Sequence, residues 1–261
     1  MLAVITGAGS GIGRVCVAKL LLREYYVFAF VRGKKGEEDL LDFLAQENIR
    51  VYRLYIFRAD FCEKEEIGEA IVQATNELIK LGERISIFIN CAGVYSQIGH
   101  NKNTKREIHF MVNYDAPLLL MRALCDKFSP TGARIICLIP NFNHKHLWWY
   151  AKRGFKYAYY KSKFDLANYF LSNHDMLGNT HVYLYVPKRA TTDFFLKNTI
   201  GYENKQGRFL RYFSLPPEYS AEQIVLLSTR PELEEPTCHF YSGLSAVKTP
   251  KVFLRKPLKH V

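Results

Sequence analysis

The sequence has no apolar run approaching the roughly eighteen residues that a membrane-crossing helix needs, so a helical span is excluded. No basic region followed by an apolar stretch and a cleavage site opens it, because a strand-like run already begins at Leu2. The expectation is a cytoplasmic protein. Cysteine occurs six times (Cys16, Cys62, Cys91, Cys125, Cys137 and Cys238) but never as a C-x-x-C pair. Scattered cysteines in apolar runs argue against a disulfide framework or a thiolate metal centre, and for reduced core residues. Acidic residues are scarce: 25 Asp and Glu face 36 Lys and Arg, a net charge of +11. That balance favours anionic ligands and leaves peripheral contact with an anionic membrane open. No nucleic-acid-binding motif accompanies the charge, so no nucleic-acid partner is expected. Repeats and low-complexity linkers are lacking too. A chain of 261 residues with 48% hydrophobic content therefore reads as one domain with a substantial core.

What the chain does have is concentrated at its start. Leu2 to Ile5 is a short apolar run suited to a buried parallel strand. It opens into Gly7, Gly9, Gly11 and Gly13, and an apolar helical pattern follows from Val15 to Leu22. Strand, glycine turn and helix in that order build an anion site. N–H groups at the helix N-terminus face outward, and the absent side chains let a pyrophosphate approach. The spacing is not G-x-G-x-x-G, because Ile12 stands where that pattern needs its last glycine. It is T-G-x-x-x-G-x-G from Thr6 to Gly13, and in this form it resembles the opening of the short-chain dehydrogenase/reductase family. The resemblance implies cofactor contacts from Gly7, Ser10, Gly11, Ile12 and Gly13.

Tyr25 to Val31 reads as a second buried strand, followed by Arg32 and a basic turn, Gly33 to Gly36. At the end of the second strand of a dinucleotide fold, an acid suits a free ribose 2′-hydroxyl and an arginine suits a 2′-phosphate. Arg32 with Lys34 and Lys35, and no acid, favours NADP(H) over NAD(H); a solvated basic turn is the alternative. Glu37 to Glu47 reads as a helix, Val51 to Phe57 as a third strand, and about 63–81 as another helix. Asp60, just past the third strand, resembles the family's adenine-binding position and equally suits the cap of the next helix. Ile85 to Asn90 is a fourth strand ending in Asn90-Cys91-Ala92-Gly93, which resembles the family's N-x-A-G. The resemblance implies that Asn90 ties the central strands together while the loop with Ala92 and Gly93 packs against the nicotinamide ribose.

A long helix from about Thr104 to Cys125 contains Asn113 and Pro117. Proline frees a carbonyl near position i−4, so the backbone is disturbed at Asn113. The resemblance identifies Asn113 as the family's catalytic asparagine, supporting a water-linked proton relay. Arg134 to Ile139 is a fifth strand. The family ends this strand in Ser-Ser, the second serine holding the substrate carbonyl; here Ile139 and Pro140 stand instead, with Asn141 or Asn143 as a replacement donor. Residues 141–156 form a long aromatic and basic loop that suits a lid over an apolar site or a membrane interface. His144 and His146 alone are too few for a metal site, and none is expected.

Two Y-x-x-x-K frames overlap from Tyr157 to Phe170: Tyr157 with Lys161, and Tyr159 with Lys163. Only the second continues as Y-x-x-S-K-x-x-L-A-N, which resembles the family's catalytic helix. Residues four apart share a helix face, so the Lys163 ammonium is expected beside the Tyr159 hydroxyl, lowering its pKa. That makes Tyr159 a general acid/base, and the same lysine can bind ribose. His181 to Val186 is a sixth strand. Pro187 and Thr192 then match the family's P-G-x-V-x-T, with Lys188 in place of the glycine, and Thr192 is implied at the nicotinamide carboxamide. Residues 193–207 read as a capping segment, about 221–228 as a helix and 238–241 as a last strand. The basic tail from about 248 suits anionic lipid, a partner subunit or the protein's own surface.

Six to seven strands alternating with helices specify an α/β, doubly wound parallel sheet of Rossmann type. The resemblance runs from Thr6 to Thr192 and is most like the retinol dehydrogenase-like branch. It implies an NADP(H)-dependent oxidoreductase that interconverts an alcohol and a carbonyl on a small apolar substrate, retinoid, steroid or lipid-like. It also implies a homo-oligomer. The alternative, prompted by Pro140 and Lys188, is a member that binds NADP(H) without turnover, as a sensor or scaffold.

Overall fold

The apolar runs of the sequence pair side by side into one sheet. In the computed structural model, residues 1–96, 100, 107–142, 154–188, 215–230, 237–251 and 253 are described. The strands are β1 (Leu2–Thr6), β2 (Tyr26–Val31), β3 (Leu54–Arg58), β4 (Ile85–Asn90), β5 (Ala133–Leu138), β6 (Thr180–Tyr185), β7 (Cys238–Ser242) and β8 (Ser245–Val247). Their order across the sheet is β3-β2-β1-β4-β5-β6-β7-β8. All neighbours are parallel except the final β7–β8 hairpin. All five residues of β1 are buried, as a strand covered by helices on both faces requires.

Successive residues of a strand point to opposite faces, and the two cores follow that alternation. Val4, Phe28, Phe88 and Ile135 pack on one side, with helices α3 (Lys64–Leu81), α4 (Ala116–Leu124) and α5 (Gly154–Asn173). Ile5, Ala29, Ile89 and Ile136 pack on the other, with α1 (Gly11–Leu21), α2 (Gly33–Gln46) and α6 (Pro217–Thr229). The doubly wound sheet is therefore the expected one, with an extra antiparallel edge strand. The chain leaves β1 toward β2 on one side and returns to it with β4 on the other. Such a reversal opens a crevice at the carboxyl ends of the strands, where α/β sheets bind ligands.

Several boundaries differ from the sequence reading. Gly33 to Gly36 is the first turn of α2 rather than a loop, because Lys34 and Lys35 pair one turn ahead with Glu38 (3.4 Å) and Asp39 (3.0 Å). β3 starts at Leu54, since Val51 and Tyr52 are exposed beyond the sheet edge. The helix expected from Thr104 to Cys125 is broken. A turn at Ile108–Phe110 leads into a π-helical turn, Met111–Asp115, and only then into α4, with Pro117 in its first turn. The proline N–H is missing where an α-helix would bond it, and the irregularity falls at Asn113, as expected. Asn143, His144, His146, Thr192, the 193–207 segment and residues 254–261 lie outside the described residues.

The tail does more than lie on the surface. The Phe253 ring stacks on Phe164 of α5 at 4.4 Å and meets Phe142 and Phe240 at 5.2 Å each. One aromatic anchor thus seats the tail on the core beside the segment that follows β5. Phe253→Ala is expected to lower stability by about 2 kcal/mol, below the range for a fully buried phenylalanine because Phe253 is only half-buried. Urea unfolding of the two proteins checks this; an unchanged midpoint would mean that the contact is loose.

Candidate active site

The turn after β1 is held against the loop after β4 by backbone contact. Gly7 has φ +65°, and a Cβ there would lie 2.8 Å from the Ala92 backbone. A Cβ on Gly13 would lie 2.3 Å from the Gly7 carbonyl oxygen. Only glycine lets the two segments come this close. The Thr6 hydroxyl donates to Asn90 Oδ1 (2.7 Å) and accepts from the Ala92 N–H (3.1 Å), so Asn90 joins the two central strands. Ser10 precedes α1 with an extended backbone, and its side chain makes no capping bond. The N–H groups of Gly11, Ile12 and Gly13 are thus donors without an intrahelical acceptor, and no acid stands in the first turn.

From the opposite side, α5 brings Tyr159 and Lys163 inward. Tyr159 is buried and Lys163 is 3% exposed, its ammonium donating to the Ala92 carbonyl (3.2 Å). Lys161 of the competing frame points away and pairs with Asp165 on its own helix. The expected lowering of the Tyr159 pKa is not found. Burial pushes the hydroxyl well above its usual range, with smaller contributions from Tyr160 and Tyr95. Burial also drives Lys163 down to about 8. The sequence reading weighed the pair's mutual attraction and left out desolvation, which disfavours both charged forms.

Asn113 is fully buried at the π-helical turn. Its Oδ1 accepts from the Val94 N–H (2.7 Å), and its Nδ2 donates to the Val94 carbonyl (3.1 Å) and to Ser162 Oγ (3.2 Å). The Ser162 hydroxyl donates in turn to the Tyr159 carbonyl (2.9 Å). The asparagine side chain therefore latches the loop after β4 to the helix of Tyr159. Ser162 is a link that the sequence reading passed over, although it stands inside the Y-x-x-S-K frame. A second such link is His109, buried, whose Nε2 accepts from the Ser96 N–H (3.1 Å) while Nδ1 meets the Glu107 carboxylate. Nothing in the residue spacing marks that histidine. The Tyr95 ring, between these ties, stands edge-on to Tyr159 (5.0 Å) and to Phe155 (5.3 Å), forming an apolar wall.

At the other end of the crevice, Arg32 is exposed at the end of β2. Among the described residues it makes no ion pair, whereas Lys34, Lys35 and Arg58 are held by Glu38, Asp39 and Glu37. Asp60 does not cap α3, which Glu63 precedes; its Oδ1 accepts from the Cys62 N–H (2.9 Å). Gly93 follows Ala92 in the loop, and Pro187 is half-buried just after β6. Ile139 is buried and Pro140 half-buried where a serine hydroxyl was sought, with Asn141 exposed beside them.

These residues fit a pyrophosphate dinucleotide. A glycine cradle that a single Cβ would fill, outward N–H donors, an arginine outside any ion pair among the described residues and a buried ammonium on a backbone carbonyl are the complement of an anion carrying ribose hydroxyls.

Comparison with known proteins identifies a family and a fold. The family model described as short chain dehydrogenase matches residues 1–169. Dehydrogenase/reductase SDR family member 7B of Xenopus tropicalis is 33% identical over 124 residues, 46% of this chain and 40% of that protein. The same protein of Xenopus laevis is 30% identical over 46% of this chain and 38% of its own length. The chain thus spans less than half the length of these relatives. Among solved structures, NADPH-bound carbonyl reductase from chicken fatty liver superposes with a TM-score of 0.67 at 21% identity, covering 95% of this chain and 98% of that one. A Caenorhabditis elegans short-chain dehydrogenase/reductase solved with cofactor gives 0.69 at 17% identity, with 93% of each chain covered. No helix among the described residues is long and apolar enough to cross a membrane.

The buried lysine carries a measurable cost. Its drop from 10.5 to about 8 corresponds to about 3 kcal/mol, spent below pH 8 and relieved as pH rises toward 10.5, where the unfolded chain also loses the proton. Lys163→Met is expected to stabilise the free protein at pH 7 by about 2 kcal/mol, one lost hydrogen bond offsetting part of the gain. Urea titrations at pH 7 and pH 10 should show that advantage shrinking; a constant difference would contradict the burial cost.

Proposed function

The chain belongs to the short-chain dehydrogenase family, and on that premise we propose that it is an NADP(H)-dependent oxidoreductase interconverting an alcohol and a carbonyl on an apolar substrate. The observation that carries this reading is the meeting of Lys163 and Asn113 on one short loop, Ala92 to Val94, behind the glycine turn, with the Tyr159 ring against Tyr95 next to it. When bound, the nicotinamide supplies or takes up the hydride. The chain's own residues do the rest. Gly7, Ser10, Gly11, Ile12 and Gly13 would hold the pyrophosphate through backbone donors. Arg32 would grip a ribose 2′-phosphate, Asp60 would face the adenine, and Asn90, Ala92 and Gly93 would wall the nicotinamide ribose with Pro187 and Thr192 beyond it.

Tyr159 gives its proton to the oxygen of the carbonyl during reduction and takes it back during oxidation. Its raised pKa keeps that proton in place at neutral pH in the free protein. Lys163, near half-charged at about pH 8, acquires acceptors for its ammonium when ribose hydroxyls enter, and its restored charge then favours the phenolate. Asn113 positions Tyr159 through Ser162. Tyr95, Phe155 and the Tyr159 ring support an apolar substrate class, and Asn141 or Asn143 would stand in for the absent serine as carbonyl donor. A binding-only protein is the second reading, favoured by Pro140 at the serine position.

Tyr159→Phe is expected to lower NADPH-dependent carbonyl reduction by about 10²–10⁴-fold while leaving NADPH affinity unchanged. Undiminished turnover overturns the assignment; a wild-type protein that binds NADPH yet is inert, with Pro140→Ser equally inert, supports the binding-only reading. Arg32→Ala is expected to weaken NADPH about tenfold and leave NADH unaffected in parallel fluorescence titrations. Equal losses for both would remove the 2′-phosphate role.

A further inference from the structure

Cys91 occupies the variable position of the N-x-A-G loop, directly behind the glycine turn. A Cβ on Gly13 would lie 3.2 Å from Cys91 Cβ, so the side chain faces the first turn of α1. Cys16 lies three residues beyond Gly13, hence on the same face of that helix one turn further in. Cys91 packs against the same core cluster that contains Cys16, and the two thiols are close enough to act on each other electrostatically. Cys16 is buried, whereas Cys91 is only partly buried and open to small reagents. Lys163 stands within electrostatic reach of Cys91.

We propose that Cys16 and Cys91 form a peroxide-sensitive disulfide that disables the nucleotide cradle. The sulfur of Cys91 attacks one oxygen of hydrogen peroxide and breaks the O–O bond. A sulfenic acid forms, and the other oxygen leaves as water with the thiol proton. Cys16 then attacks the sulfenic sulfur, the S–O bond breaks, and a second water carries away the hydroxyl and the Cys16 proton. Two thiols lose two electrons and one peroxide gains them.

The bond must bring the two sulfurs to about 2.05 Å. Helix α1 cannot yield, because Gly13 already rests against the Gly7 carbonyl. The movement therefore falls on the loop from Cys91 to Gly93. That loop offers its Ala92 N–H to Thr6 and its Ala92 carbonyl to Lys163, so oxidation disturbs both walls of the proposed nucleotide site at once. The exposed Cys125 and the half-buried Cys62 serve as internal controls.

This inference rests on the nucleotide reading for its consequence, though not for the bond itself. The full chain is treated with hydrogen peroxide, alkylated, digested without reductant and mapped by mass spectrometry, with NADPH titrated before, after and following dithiothreitol. The expected result is a Cys16–Cys91 linked peptide, an NADPH affinity about tenfold weaker, and full recovery on reduction. Cys16→Ala, a small apolar replacement, should bind NADPH as the reduced protein does and lose the peroxide response. Two free peptides, oxidation at Cys125 alone, or an oxidised protein with unchanged affinity overturns the proposal. A linked peptide from a protein that binds no NADPH even when reduced supports the bond and overturns the nucleotide reading instead.

Discussion

Two backbone segments, the turn after β1 and the loop after β4, touch with no side chain between them, and the site depends on that approach. Gly7 meets Ala92, Gly13 meets Gly7, and the Thr6 hydroxyl bonds both Asn90 and Ala92 across the seam. A contact of backbone on backbone has no flexible end that can give way. With its cysteines reduced, the loop is consequently held in one position. Lys163 rests on the Ala92 carbonyl, Asn113 clasps both polar groups of Val94, and His109 holds Ser96. Groups from α5, the π-helical turn and the segment before it thereby take their positions from one short stretch. Packing of the two cores supplies the stability; this seam supplies the registration.

Burial acts on Tyr159 and Lys163 of α5 alike in the direction of neutrality. Tyr159 resists losing its proton and Lys163 resists keeping one. In the free protein the pair therefore does not behave as the ion pair that its i,i+4 spacing suggests. The desolvation cost of a buried group exceeds the modest attraction available to it. Sites that keep such a cost in the free state commonly recover it when a ligand supplies the missing partners, which is how local instability and function coexist in one place.

The strands and the glycine turn were legible in the sequence because they obey local rules: apolar runs of strand length, and a spacing of glycines that only a close approach demands. Of the two overlapping Tyr–Lys frames only the second continues downstream in the family's pattern, and Lys161 of the other pairs with Asp165 on its own helix. Other features were hidden for definite reasons. Glycine and lysine at 33–36 read as a turn, yet i,i+4 pairing with Glu38 and Asp39 extends α2 through them. Strand β8 carries the short, exposed Ser245–Val247, without an apolar signature. The direction of the Tyr159 shift needs the surroundings of the side chain, which periodicity does not contain. Ser162 and His109 act through partners 49 and 13 residues away, distances at which sequence pattern is silent.

The strand order also has a cost in time. Thr6 and Asn90 are 84 residues apart, so the seam cannot close until β4 has been made and has crossed back to β1. At about 5–20 residues per second, a nascent chain waits roughly 4–17 seconds with that strand's inner edge uncovered. An unpaired apolar edge is a template for wrong partners, and pairings this distant close slowly. The reversal that opens a crevice in the finished sheet therefore leaves the growing amino-terminal half open to mispairing until β4 arrives.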